Sequence, residues 1–152
     1  MKNFTSLLLL IMALTALAAC GEEKAATGGT TSGGTTAAGS AVEVKSGQAA
    51  ENIYVPATLE VAAGEAKVTF NNVSAQPHNW TLVKQGDEEK ADAEAMKDTT
   101  NYSYAGAIAQ TKLLQAGGKE TITFKAEPGT YTYLCTFPSH YVLGMKGTLT
   151  IK

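Results

Sequence analysis

The chain has 152 residues, 44% hydrophobic and 17% charged, with twelve lysines, no arginine, fourteen acidic residues and a net charge of −2. These proportions fit one globular domain with appendages, and they exclude both a disordered acidic tail protein and a basic nucleic-acid binder. Two cysteines cannot staple a disulfide scaffold, and two histidines exclude any site needing three or more imidazoles.

The N-terminus reads as an export signal. Lys2 gives it a positive start, and Phe4 to Ala19 form an apolar run that closes on Leu17-Ala18-Ala19-Cys20. Small residues directly before a cysteine resemble a bacterial lipoprotein signal. Residues 1–19 are then removed, and Cys20 is acylated as the mature N-terminus. An uncleaved membrane helix is the alternative, but the run is shorter than the roughly twenty apolar residues a bilayer requires. Either route leaves the domain tethered outside the cytoplasm. Residues 20–41 hold the lipidated Cys20 and a stretch made mostly of Gly, Ala, Thr and Ser. The composition predicts a flexible linker with a reach of about 25 Å.

Residues 42–152 read as the folded domain, because there the chain adopts an alternation of period two. Ala66, Val68 and Phe70 form one apolar set, Ile122 and Phe124 a second, and Met145, Gly147, Leu149 and Ile151 a third. Such alternation marks half-buried strands. Gly64, Gly117-Gly118 and Pro128-Gly129 punctuate them at turn-like intervals. The expectation is an all-β, antiparallel Greek-key sandwich. One segment departs from the pattern: Gly86 to Asp98 is rich in the helix formers Glu, Ala, Lys and Met, with six acidic and two basic residues. It predicts a short, exposed inserted helix whose acidic face is solvated.

The chemistry concentrates near the C-terminus, where Cys135-Thr136-Phe137-Pro138-Ser139-His140-Tyr141-Val142-Leu143-Gly144-Met145 spells Cys-x4-His-x4-Met. Thiolate, imidazole and thioether form a soft donor set that favours copper over magnesium, calcium or manganese. His78 is the other histidine. Strand parity groups His78 with Trp80 and Leu82, Cys135 with Tyr131 and Tyr133, and Met145 with Leu149 and Ile151. Each of these faces is bulky and should point into the core, so three ligands from three strands face one interior and His140 reaches in from a loop. Singly, Met145 would read as core filler and Cys135 as an inert small hydrophobe. An unpaired cysteine in an exported domain is nevertheless open to oxidation unless it is bound or buried.

With those residues in view, the domain resembles the cupredoxins, or type 1 blue-copper proteins, and among them the auracyanins, tethered copper proteins of filamentous photosynthetic bacteria. His78-Asn79-Trp80 is similar to the family's first-ligand motif, and Cys135-Thr136-Phe137-Pro138 with His140 is similar to the azurin ligand loop. Four residues before Met145, where azurins have three, is the auracyanin and rusticyanin pattern. Pro77 departs from azurins, which place Gly there.

The resemblance implies one copper ion held by His78, Cys135, His140 and an axial Met145. It also implies that Asn79 bonds across to the Cys loop, with Thr136 beside it near the sulfur. The protein would be a one-electron carrier, not an enzyme, exported and lipid-anchored at the outer face of the cytoplasmic membrane. Phe137, Pro138, Tyr141, Val142 and Leu143 would surround His140 as an apolar docking patch. The partners implied are a membrane-bound quinol-oxidising complex and a photosynthetic reaction centre or cytochrome, approached by a monomer that binds no nucleic acid. A copper carrier or storage lipoprotein is the rival, although it would be expected to carry more Met or Cys than the Met96, Cys135 and Met145 that follow residue 20. A structural zinc site would lack a good fourth donor.

Overall fold

The computed structural model describes residues 40–152; the signal, Cys20 and most of the linker expected from the sequence lie outside them. Nine strands and one helix follow in the order β1 (Ser40–Ser46), β2 (Tyr54–Val55), β3 (Thr58–Val61), β4 (Gly64–Asn71), β5 (Thr81–Lys84), α1 (Glu88–Ala95), β6 (Ala109–Gln110), β7 (Lys119–Ala126), β8 (Gly129–Leu134) and β9 (Lys146–Ile151). They form a four-stranded sheet, β2-β1-β4-β7, and a five-stranded sheet, β3-β9-β8-β5-β6.

The expected sandwich is therefore present, with one short helix. Its sheets are mixed, however, because β1 runs parallel to β4 and β3 parallel to β9. Alternation along one strand reports which face is buried and carries no information about the direction of the neighbour. Ser40 and Ala41, expected at the end of the linker, lie in β1. Ser40 and Ala41 pair with Ala66 and Lys67 through their backbones, which small side chains permit.

The period-two sets fill the space between the sheets. Val44, Ala66, Val68, Phe70 and Phe124 from the first sheet meet Leu59, Val61, Leu82, Tyr133, Leu149 and Ile151 from the second, around Trp80. Each large side chain buried in this way contributes about 1.5–3 kcal/mol. Strand β5 is buried on both faces, since Thr81, Leu82 and Val83 are all inaccessible.

The helix explains that double burial. It covers Glu88–Ala95 within the longer segment expected, and it is not freely exposed. Ala91 is fully buried with Val83, Leu134 and Tyr104 in a second apolar cluster behind the sheet. Small alanines at positions 91 and 95 let the helix backbone approach closely, and Glu88 turns toward the sheet to accept from the Thr132 hydroxyl at 2.5 Å. Gly86, at φ +94°, ends β5 and turns the chain into the helix.

Candidate metal centre

The register of the five-stranded sheet brings three chain segments to one place. Thr81 lies opposite Leu134, and Leu134 opposite Lys146, so the start of β5, the end of β8 and the start of β9 share one end of the sheet. Just beyond these ends stand His78, Cys135 and Met145, each at 0% exposure. Parity alone predicts the ligands on the strands themselves. They lie just outside, because β5 begins at Thr81, β8 ends at Leu134 and β9 begins at Lys146.

Each segment is fastened by its own backbone. His78 and Leu114 form an isolated bridge, His78 N donating to Leu114 O at 3.1 Å and Leu114 N to His78 O at 2.8 Å. The buried Asn72 ties the same carbonyl, its Nδ2 donating to Leu114 O at 2.8 Å. The Tyr54 hydroxyl donates to Asn79 O at 2.6 Å. The loop from Cys135 to Met145 closes on itself: Cys135 N donates to Met145 O at 3.1 Å, and Met145 N to His140 O at 2.9 Å. Gly144, at φ +100°, makes the turn that returns the chain into β9.

The donor atoms converge. Cys135 Sγ is 3.5 Å from His140 Nδ1 and 3.7 Å from His78 Nδ1, and all three atoms lie within 4.8 Å of one another. Three bonds of about 2.0–2.3 Å arranged in a plane place neighbouring donors about 3.7 Å apart. The spacing thus suits one ion held by two imidazoles and a thiolate. Met145 packs in the same buried cluster as Cys135.

Burial sets the protonation states. It holds His78 down to about 4, with a smaller push from the charge of His140, and it also lowers His140. The Cys135 thiol is pushed up to about 12 by the same desolvation. At neutral pH both imidazoles are uncharged and keep a lone pair, while the thiol keeps its proton until a cation displaces it. His78 Nε2 is buried without a hydrogen-bond partner among the described residues.

The expected link between Asn79 and Thr136 is present. Asn79 Nδ2 donates to Thr136 Oγ1 at 2.8 Å, and Thr136 N donates to Asn79 Oδ1 at 2.9 Å. The sequence did not reveal the third member of this group. Tyr102 O accepts from Asn79 Nδ2 at 3.2 Å and from the Thr136 hydroxyl, and Asn101 O accepts from Asn79 Nδ2 at 3.1 Å. The Asp98-Thr99-Thr100-Asn101 run signals a turn capped by a carboxylate, but nothing in the sequence places that turn against the cysteine loop.

The five residues expected to form a docking patch divide. Val142 is 78% and Leu143 64% exposed, while Phe137, Pro138 and Tyr141 are half-buried. Phe137 packs its ring against Tyr102 and His140. His140 itself, within the loop, is 4% exposed.

Comparisons with known proteins point to copper. The family of copper binding proteins described as plastocyanin/azurin matches residues 40–152. Auracyanin-A of Chloroflexus aurantiacus is 39% identical over 124 residues, covering 73% of this chain and 75% of that protein. Auracyanin-B of the same organism is 44% identical over 97 residues, covering 55% of this chain and 39% of its relative's length. Among solved structures, dithionite-reduced auracyanin of Roseiflexus castenholzii superposes with a TM-score of 0.70 at 41% identity, over 74% of this chain and 97% of that one. Copper is the metal of this family, and two neutral imidazoles beside a buried thiol are donors suited to it. The chain belongs to the plastocyanin/azurin family of copper-binding proteins and, within that family, is a cupredoxin resembling the auracyanins.

Proposed function

We propose that the protein is a type 1 blue-copper electron carrier, with His78, Cys135 and His140 as the strong ligands and Met145 as a weak axial one. The observation that carries the reading is the buried convergence of two Nδ1 atoms and one Sγ within 4.8 Å. Copper held there supplies a one-electron couple between Cu(I) and Cu(II). The protein's part is to hold the donors still. His78 is fixed through Leu114, Cys135 through Met145 and Asn79, and His140 through the closure of its loop. Burial of all three donors excludes water, and a rigid donor set keeps reorganisation small as the electron moves. No substrate is turned over, so the protein is not an enzyme.

Electrons enter and leave beside His140, across the apolar surface of Val142 and Leu143 with the edges of Phe137, Pro138 and Tyr141. Residues 1–19 act as an export signal, Cys20 as the lipid anchor and residues 20–39 as the tether, leaving the domain at the outer face of the cytoplasmic membrane as a monomer. Its partners are a membrane-bound quinol-oxidising complex and a reaction centre or cytochrome. Cys20→Ser should release the protein from the membrane fraction.

The deciding test is the visible spectrum of the full chain loaded with Cu(II) and then reduced with ascorbate. An intense blue thiolate-to-copper band that bleaches reversibly is expected. A colourless protein that binds only Cu(I) would refute electron carriage and return the copper-storage alternative.

A further inference from the structure

The turn at residues 98–103 lies outside the ligand loop and the strands that supply it, yet its hydrogen bonds lead into both. The Asp98 carboxylate accepts at Oδ1 from Thr100 N at 3.0 Å and Asn101 N at 3.3 Å, and at Oδ2 from Ser103 N at 3.3 Å and from the Ser103 hydroxyl. Its backbone oxygen accepts from Tyr102 N at 2.9 Å. Inside this wrap Tyr102 adopts φ +51°, a left-handed conformation that a tyrosine avoids unless its surroundings impose it. Its carbonyl thereby meets Asn79 and Thr136.

The direction of these bonds has a consequence for the cysteine. A hydroxyl has one proton, and Thr136 gives it to Tyr102 O. Its oxygen must then accept from Asn79 Nδ2, which turns the other end of that amide, Oδ1, toward Thr136 N. Thr136 N belongs to the residue after Cys135, so the backbone orientation at the thiol depends on a carbonyl from the turn. The Tyr102 ring adds a second contact, edge-on to Phe137 at 5.3 Å between centroids. The Asp98 carboxyl is pulled down to about 2 by its hydrogen bonds, first among them that from Ser103, so it accepts as a carboxylate at neutral pH.

We propose that Asp98 is a positioning residue for the metal centre: by wrapping the 98–103 turn it presents the Tyr102 carbonyl to Thr136 and Asn79 and so orients the Cys135 end of the ligand loop. Only the spectroscopic consequence rests on the copper reading above; the brace itself is a property of the metal-free protein.

The test is amide hydrogen exchange on the full metal-free chain, followed by the visible spectrum after Cu(II) loading. In Asp98→Ala, exchange at Thr136 N should accelerate by about fivefold for each hydrogen bond lost, measured against Val68 N in β4. Asp98→Asn, which keeps one acceptor oxygen for Thr100 and Asn101, should show a smaller rise. Glu94→Gln removes the same charge nearby and should change nothing. The thiolate-to-copper band should shift in Asp98→Ala and not in Glu94→Gln. Unchanged protection at Thr136 in Asp98→Ala would overturn the proposal, and so would an equal rise at Val68, which would signal general destabilisation. A chain that forms no blue band but shows the exchange pattern refutes the copper reading and upholds the brace.

Discussion

Replacing Asn79 should be far more damaging than replacing Thr136, although the two side chains bond to each other. Asn79→Ala removes four hydrogen bonds: from Nδ2 to Asn101 O, Tyr102 O and Thr136 Oγ1, and from Thr136 N to Oδ1. Thr136 is fully buried, so its N–H is left without a partner. The Nδ2 amide has two protons to share among its three acceptors, so two donated bonds at about 1 kcal/mol each and one orphaned buried donor at about 1–3 kcal/mol together give about 3–5 kcal/mol. Thr136→Val keeps the side chain's shape and removes only the hydroxyl. Asn79 Nδ2 retains its two carbonyl acceptors, and Tyr102 O retains Asn79. Nothing buried is orphaned, and the expected cost is about 1–2 kcal/mol. Because the substitutions share a bond, the double variant should fall short of the sum of the singles by about 1 kcal/mol. Guanidinium denaturation of the metal-free full chain measures all three values, and melting midpoints should fall by about 4 °C per kcal/mol. A Thr136→Val cost equal to or above that of Asn79→Ala would refute the hydrogen-bond assignment, and so would strict additivity.

Three further outcomes are expected. In Gly147→Ala the new Cβ would lie 2.3–2.5 Å from the ring and hydroxyl of Tyr133, which is fully buried and bonded to Pro56 O, so denaturation should report a loss of about 2–3 kcal/mol. The depressed carboxyl of Asp98 contributes stability that is fully present above about pH 4 and is lost as pH falls through about 2. The stability gap between wild type and Asp98→Asn should therefore shrink over that interval, and a gap that widened on acidification would reverse the sign of the argument. Val142→Lys with Leu143→Lys should leave the denaturation midpoint within about 0.5 kcal/mol of wild type. The same pair should slow electron self-exchange, measured by NMR line broadening, by about tenfold or more as like charges meet across the patch.

What the sequence makes legible follows from which physical signals are local. Burial alternation is local, so Ala66, Val68, Phe70, Leu149 and Ile151 could be assigned to the core and the sandwich anticipated. Strand direction is not local, and the two parallel pairings were invisible. The Cys135-to-Met145 spacing is local as well, and with few candidates in the chain His78 was the remaining imidazole to consider. Its approach to Cys135 nevertheless depends on the register between β5, β8 and β9 and on the bridge to Leu114, which no periodicity encodes. The acidic segment shows the opposite error. Its charges suggested a solvated helix, whereas Ala91, too small to raise an apolar periodicity, seats it against Val83 and Leu134, and Ala95 is buried as well. The chain then leaves the helix through Asp98 and folds the turn whose carbonyls reach Asn79 and Thr136. The insertion thus covers the outer face of β5 and braces the cysteine loop through one continuous stretch of chain. Both roles arise from side chains chosen for size and hydrogen-bonding capacity, and a hydrophobicity pattern records neither.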